Sequence, residues 1–493
     1  MAFKNEPYTD FSKDKNKQAM RAALNRVRNE LGKEYGLIID GKRVSAPQKF
    51  FSLNPARKEQ KIGIFHEADE SLTEKAIDAA QSAFESWKST PVARRIQCLD
   101  RMANLMEKKR FELTAWIILE IGKSWGEADG EVSEAIDFIR YYAEEMSRFL
   151  RSPRLVPLKN EKNEMRYIPL GVGAIITPWN FPLAILAGMT SSAIVTGNTV
   201  VIKPSEYASA VAHQFMKIAA EAGAPAGVIH LLTGRGSLVG KYLVRHPKIR
   251  FISFTGSKKV GVEISEVAAK VPPSQKWIKR VVAEMGGKDA IVVDKECHIK
   301  DAVRAVVRSA FGYSGQKCSA CSRVIVDESI YEPFVNQLVK ETKALRIGAP
   351  EDSHMDMGPV VSDAQLRKAA QYIEIGKTEG KLLTGGRIDT RQGYFVEPTI
   401  FGDVAPTARL AQEEIFAPVL VVIRSKNFDE AIAIANNTEY GLTGAVYTRN
   451  PQKIKKAREE FFVGNLYINR GCTGAFVGAH PFGGFNMSGT DSK

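Results

Sequence analysis

Gly171-Val-Gly-Ala-Ile-Ile-Thr-Pro-Trp-Asn-Phe-Pro182 lies in a run, 167 to 202, that holds no charged residue. A run this apolar invites comparison with a membrane span, which needs about 20 mostly apolar residues in one helix. Pro169, Pro178, Asn180, Pro182, Gly188, Gly197 and Asn198 break it, so it reads instead as buried α/β core. Residues 171–177 have the unbroken apolarity of a strand covered on both faces. Residues 182–195 follow as a helix, Gly197-Asn198 turns the chain, and 199–203 return as a second strand. Strand, helix and strand in that order specify a parallel sheet with helices on its faces.

The same texture extends downstream. Residues 228–233 and 249–255 are apolar runs, each closed by Thr-Gly and followed by a helical stretch. A second α/β series begins near Glu284, with strands at 290–293, 323–326, 418–423 and 445–448 and helices at 300–311 and 332–345. Upstream the pattern is mainly helical. Ser71-Leu-Thr-Glu74 fits a capping box, and Ala76, Ala80, Ala83 and Trp87 recur at helical spacing behind it. A helix after Pro91 carries Ile96, Leu99, Met102 and Leu105, and another carries Phe138, Tyr141, Tyr142 and Phe149. These stripes read as core. Residues 155–158 and 165–170 flank a polar Lys159-Asn-Glu-Lys-Asn163 turn, the pattern of a β-hairpin. The expectation is two compact α/β units sharing an interface, with a ligand in the cleft between them.

Composition sets the outer limits. At 493 residues, 44% hydrophobic and 25% charged, the chain is globular rather than disordered, and its length suggests about three structural units. The net charge is +13, but acids interleave with bases, as in Lys13-Asp14-Lys15, with neither a basic stripe nor an aromatic platform. Nucleic-acid binding is therefore not expected. The five cysteines, an odd and sparse set, fit free thiols in a reducing compartment. The first residues carry Glu6 and Asp10 and no apolar segment, unlike a signal or transit peptide. A cytoplasmic protein without membrane association is expected.

Several segments carry chemistry. Gly234-Arg-Gly236-Ser-Leu-Val-Gly240 resembles a dinucleotide-binding loop after a strand, and Phe254-Thr-Gly256-Ser257 also ends a strand in a glycine turn that opens a helix. Such turns let backbone N–H groups approach a pyrophosphate, and they equally serve as plain tight turns. Lys203-Pro-Ser-Glu206 ends another strand. A carboxylate there can accept hydrogen bonds from ribose hydroxyls and repels a 2′-phosphate; an exposed charged loop is the alternative. Gly315-Gln-Lys-Cys318-Ser319-Ala-Cys321 places a cysteine after a glycine loop. A reactive thiol needs exposure and an electropositive setting, whereas most free cysteines are packing. The Cys318/Cys321 spacing would suit zinc, but no further ligands accompany it, and no metal is expected. Glu284-Met-Gly-Gly287 leaves a carboxylate with little steric cover, suited to a general base. Asn180, in a proline-bracketed loop at a strand end, is suited to donate to an oxyanion.

These motifs occur together in one order, and that order resembles the aldehyde dehydrogenase superfamily over about 37 to 489. The residues that carry the resemblance are Thr177-Pro-Trp-Asn-Phe-Pro182, Lys203-Pro-Ser-Glu206, Phe254-Thr-Gly-Ser257, Glu284-Met-Gly-Gly-Lys288, Gly315-Gln-Lys-Cys318, Glu414-Ile-Phe-Ala-Pro418 and Pro481-Phe-Gly-Gly484. Gly315-Gln-Lys-Cys-Ser-Ala-Cys-Ser-Arg323 with Thr473-Gly-Ala475 resembles the members that oxidise L-glutamate γ-semialdehyde to L-glutamate in proline breakdown. The resemblance implies two Rossmann-like parallel α/β domains and a small β-hairpin oligomerisation arm. Residues 1–150 and 171–283 would bind NAD, 151–170 would form the arm and 284–485 the catalytic domain.

It further implies Cys318 as nucleophile, Asn180 and the Cys318 N–H as oxyanion donors, and Glu284 as the base for the deacylating water. Thr177, Pro178, Trp179, Lys203, Glu206, Gly256, Ser257, Glu414 and Phe416 would contact NAD, and the Gly234/Gly236/Gly240 loop would be structural. Ser319, Gly474 and Ala475 would hold the substrate carboxylate, with Phe181 and Phe482 along its aliphatic chain. The family assembles as homodimers or higher homo-oligomers. Its chains usually continue past Ser-Gly-Thr into a strand that pairs across the dimer. With the residues given ending at Lys493, the expectation is an arm without that companion strand and an exposed sheet edge, and a form with impaired assembly and activity is an alternative reading. A dehydrogenase for another short semialdehyde, such as succinate semialdehyde, is the competing reading.

Overall fold

In the computed structural model, which describes residues 3–151 and 154–490, the uncharged run is a strand–helix–strand unit. Every residue of the strand Val172–Thr177 is buried, and the helix Ala184–Val195 follows. Thr199–Pro204 then lies parallel to the first strand, with Val172 facing Thr199 and Thr177 facing Pro204. Around this pair a seven-stranded sheet runs in the order Arg280–Glu284, Ile249–Thr255, Val172–Thr177, Thr199–Pro204, Ile229–Leu231, Leu37–Ile39, Lys42–Val44. Its first five strands are parallel, and the last two form an antiparallel edge. The chain first builds to one side of Val172–Thr177 and then crosses to the other. The reversal falls between Val172–Thr177 and Ile249–Thr255, where the strand ends open a crevice suited to a ligand.

The second seven-stranded sheet is ordered Lys381–Thr384, Thr399–Gly402, Val419–Ser425, Cys321–Asp327, Asp289–Val293, Thr443–Tyr447, Asn465–Ile468. It is parallel except for its Lys381–Thr384 edge. Two mainly parallel sheets with helices on their faces are the doubled α/β architecture expected from the sequence. Residues 285–288 connect the last strand of the first sheet to Asp289–Val293 in the second. Residues 488–490 return to the same place: the Met285 N–H donates to the Ser488 carbonyl at 2.8 Å and the Thr490 N–H to the Ala283 carbonyl at 3.0 Å.

The first third departs from a purely helical reading. Helices Asp14–Arg28, Glu70–Trp87, Val92–Lys108, Arg110–Ile121 and Trp125–Phe149 are present, and the middle ones bury Met102, Trp116, Ile117 and Leu119 against the first sheet's helices. Between them lies a three-stranded sheet of Glu34–Tyr35, Arg57–His66 and Lys49–Asn54. Arg57–His66 opens with alternating exposed and part-buried residues, so its lysines and glutamate mask the strand. The capping box is also revised. Asp69, not Ser71, caps Glu70–Trp87, its carboxylate accepting the Leu72 N–H at 2.8 Å. Glu74 is instead engaged by the Tyr242 hydroxyl at 2.8 Å and by His246 at 2.7 Å.

The expected hairpin arm is likewise revised. Of residues 151–170, 152 and 153 lie outside the described residues. The remainder turns at Asn160, with φ +69°, but builds no strand ladder. Val156 and Ile168 are 82% and 77% exposed, and two strands with little else to pack on are marginal. Among the described residues no helix is long and apolar enough to cross a membrane.

Candidate active site

The loop of the candidate nucleophile Cys318 begins where the helix Ile299–Phe311 stops. Tyr313, Ser314 and Gly315 all take left-handed φ values, +51°, +55° and +66°. For side chains other than glycine such conformations cost about 1–3 kcal/mol each and persist only where neighbours enforce them. Here they do. The Tyr313 hydroxyl donates to the Ile121 carbonyl at 3.1 Å and the Ser314 hydroxyl to the Gly358 carbonyl at 2.7 Å. The Gln316 amide accepts the Val361 N–H at 2.8 Å and donates to the Pro359 carbonyl at 3.3 Å. A Cβ at 315 would lie 2.5 Å from the Ala417 carbonyl oxygen, so glycine is required there. This braced turn delivers Cys318 just ahead of the strand Cys321–Asp327.

Cys318 is half-buried. Its thiol is pushed well above the ordinary cysteine range, first by desolvation and then by the carboxylates of Asp289, Glu284 and Glu414. The neighbouring Lys317 ammonium is engaged by Glu127 at 2.6 Å. Burial and those three carboxylates disfavour the thiolate in the unliganded site.

Asn180 is buried, and its side-chain amide donates to the Gln316 carbonyl at 3.1 Å, two residues from the nucleophile. Gly287 touches the same loop, since a Cβ there would overlap the Cys318 carbonyl oxygen. Three residues earlier, Glu284 ends its strand, and its carbonyl accepts the Gly256 N–H at 3.0 Å. Its buried carboxylate lies against Gly489, where a Cβ would come 3.1 Å from Oε1. Thiol, amide and carboxylate thus meet where the two sheets join.

A groove of dinucleotide-binding character continues along the first sheet. Lys203, buried at the end of Thr199–Pro204, lies 3.6 Å from Glu206. Burial draws its pKa down, and Glu206 partly restores it. Thr177, at the end of the neighbouring strand, keeps a buried hydroxyl with no hydrogen-bond partner among the described residues. Pro178 and Trp179 follow it, and the Trp179 ring meets Phe416 edge-on at 5.4 Å. Gly256 and Ser257 precede the helix Lys258–Ala269, with Ser257 at its cap and no side-chain bond covering the free N–H groups. Gly236 borders this groove too, since a Cβ there would sit 3.5 Å from Lys203 Nζ.

On the far wall Glu414 accepts the Gly287 N–H at 3.1 Å. Burial raises its pKa, opposed by Lys368, that N–H and Lys288. Phe416 holds φ +60° because Gln365 donates to the carbonyls of Ile415 and Phe416 at 2.9 and 2.8 Å. The orphaned Thr177 hydroxyl, the glycine-lined approach to Lys203 and the open helix N-terminus fit a dinucleotide.

The candidate carboxylate-binding group is assembled from two loops. The Cys472 thiol donates to the Ser319 carbonyl at 3.4 Å, which ties the loop of Gly474 and Ala475 to the nucleophile loop. Phe181 and Phe482 are both half-buried, the latter beyond Pro481, whose carbonyl accepts the Asn465 amide at 2.7 Å. Among the described residues no cluster of three or more histidines, cysteines or acids is placed to hold a metal ion. A separate open cleft of about 630 Å³ beside Tyr35, Arg43 and His213 contains none of these residues.

Sequence reasoning missed the support beneath Phe181. Lys123 is wholly buried, paired with Glu131 at 2.7 Å, and its ammonium sits 3.6 Å from the centre of the Phe181 ring. Glu131 also accepts the Leu183 and Ala184 N–H groups at 2.8 and 3.3 Å, capping Ala184–Val195 from outside its own sequence. The available signal was limited to a lysine with an acid eight residues on.

The chain belongs to the aldehyde dehydrogenase family, whose sequence profile matches residues 43–493. It is 52% identical over 491 residues to the 1-pyrroline-5-carboxylate dehydrogenase of Geobacillus thermodenitrificans, covering 100% of this chain and 95% of that one. The Bacillus mycoides enzyme of the same name is 51% identical over 493 residues, covering 100% and 96%. Among solved structures, 1-pyrroline-5-carboxylate dehydrogenase from Thermus with bound NAD superposes with a TM-score of 0.97 at 48% identity, covering 99% of this chain and 95% of that one.

Proposed function

We propose that this chain oxidises L-glutamate γ-semialdehyde, the open form of 1-pyrroline-5-carboxylate, to L-glutamate with NAD, a step of proline degradation. The observation that carries the reading is the meeting of Cys318, Asn180 and Glu284 in a chain about half identical, end to end, to enzymes named for this reaction. Residues 1–150 and 171–283 serve the nucleotide and 284–485 the chemistry. The assembly is a cytoplasmic homo-oligomer, and the only other partner is the small-molecule substrate.

Cys318 loses its proton as the aldehyde is seated and attacks the carbonyl carbon. The oxyanion of the thiohemiacetal is held by the Asn180 side-chain amide and the Cys318 N–H. Bound NAD would supply the acceptor for the hydride released from this carbon. Lys203, Glu206 and Glu414 hold its riboses, and Gly256 with Ser257 its pyrophosphate. Thr177, Pro178, Trp179 and Phe416 line the remainder. Glu284 then takes a proton from water, which hydrolyses the thioester on Cys318. Ser319, Gly474 and Ala475 bind the α-carboxylate while Phe181 and Phe482 flank the chain.

The test is an NADH-forming assay with 1-pyrroline-5-carboxylate and succinate semialdehyde side by side. Preferential turnover of the first is expected. Equal or better use of succinate semialdehyde would overturn the substrate assignment.

A further inference from the structure

Arg470 follows the strand Asn465–Ile468 and reaches forward over the loop after it. One nitrogen, Nη2, donates to both the Thr473 and the Gly474 carbonyl oxygens, each at 2.8 Å. The guanidinium lies 4.3 Å from the centre of the Tyr467 ring, which fixes its plane. Its other terminal nitrogen, Nη1, lies 3.5 Å from His480 Nε2, and among the described residues no carboxylate forms an ion pair with it.

Peptide geometry gives this contact a consequence. In a trans peptide the C=O and the following N–H point in opposite directions. Carbonyls 473 and 474 both face Arg470, so the N–H groups of Gly474 and Ala475 both face away from it, on one side of the turn. Gly474, with φ +75°, supplies the left-handed residue such a turn needs. Neither N–H meets an acceptor among the described residues. Two free, converging N–H groups backed by a cation form an anion nest. The loop is closed beyond them by the Phe476 N–H donating to His480 Nδ1 at 3.0 Å, and before them by the Cys472–Ser319 contact at 3.4 Å.

We propose that Arg470 is a positioning residue for substrate selectivity: it holds the 473–475 turn with its N–H edge presented to the substrate carboxylate, without touching substrate itself. This rests on the reading above that Gly474 and Ala475 bind that carboxylate. It separates the energy of carboxylate recognition from the machinery at Cys318.

The test compares Arg470→Ala, Arg470→Gln and Arg470→Lys with the unaltered full chain. Substrates are 1-pyrroline-5-carboxylate and pentanal, an aldehyde of the same length without the carboxylate. KM for 1-pyrroline-5-carboxylate should rise about tenfold or more in Arg470→Ala and Arg470→Gln, the scale of losing charge-assisted hydrogen bonds. Its kcat should change little, and kcat/KM for pentanal should hold. Arg470→Lys keeps the charge and should recover part of the loss. An equal loss on both aldehydes, or an unchanged KM, overturns the proposal. Should Arg470→Ala fail to fold, the Gln and Lys variants decide on the same criterion, with L-glutamate raising the melting temperature of the unaltered chain more than theirs. If the unaltered chain itself shows no preference for 1-pyrroline-5-carboxylate over pentanal, the functional reading fails; if it does and the variants keep that preference, only the role of Arg470 fails.

Discussion

Cys318 is the proposed nucleophile, and its surroundings bear on when it becomes reactive. Burial and three nearby carboxylates raise the pKa of the thiol, which favours its protonated form until substrate is seated. Alkylation by iodoacetamide near neutral pH should be slower at Cys318 than at a free cysteine thiol and should accelerate steadily as pH rises. Glu284→Gln removes one of the carboxylates that raise the thiol, so it should speed alkylation while slowing turnover. With aldehyde and NAD the same variant should release a burst of NADH and then stall at the thioester; an unchanged steady rate would remove Glu284 from the role of base. Cys318→Ala should abolish oxidation, about 10³-fold or more, as expected when a covalent nucleophile is deleted, and retained activity would refute the assignment.

At the scale of elements, the strands with unbroken apolar runs were legible because burial on both faces leaves an unmistakable pattern. Val172–Thr177 is of this kind. The strand Arg57–His66 was not, because charged side chains cover its outward face. The identities of Cys318, Asn180 and Glu284 could be read from motifs. The buried Lys123–Glu131 pair that supports their loop could not, since its partners come from a helix and a turn distant in sequence. That pair carries its own prediction. Glu131→Ala strands a buried ammonium and uncaps Ala184–Val195, and should cost about 3–5 kcal/mol in urea unfolding. Lys123→Met with Glu131→Gln should recover much of that loss.

The helix Ser209–Glu221 contributes a further signal through His213, which is buried beside Tyr35 and Phe65. Desolvation, with Lys217 and Arg43 nearby, lowers its pKa to about 3 from 6.5. The folded form resists a proton that the unfolded chain accepts, so stability from this group is full above pH 6.5 and lost as pH falls towards 3. The slope approaches about 1 kcal/mol per pH unit below about pH 6. His213→Phe preserves the ring stacking, and its stability relative to the unaltered chain should improve progressively between about pH 7 and 5. A difference independent of pH would count against a neutral buried imidazole.

Across the whole molecule, the site exists because two sheets that each fold around their own core share one short connection. Glu284 closes the first sheet, and Asp289 opens the second. The four residues between them bring Gly286 and Gly287 against Glu414 and the Cys318 carbonyl. Gly287→Ala should therefore impair NAD-dependent turnover far more than it lowers the melting temperature, since its Cβ intrudes on the nucleophile loop rather than on either core. A proportionate fall in both would place its effect in folding instead.

The clasp of 488–490 on Ala283 and Met285 has a temporal meaning. Thr490 is 207 positions beyond Ala283 in the chain. During translation both sheets have their strands well before that, yet the Glu284 carboxylate lacks one wall until residue 490 has left the ribosome. A nascent chain therefore holds the strands of both sheets before this wall closes.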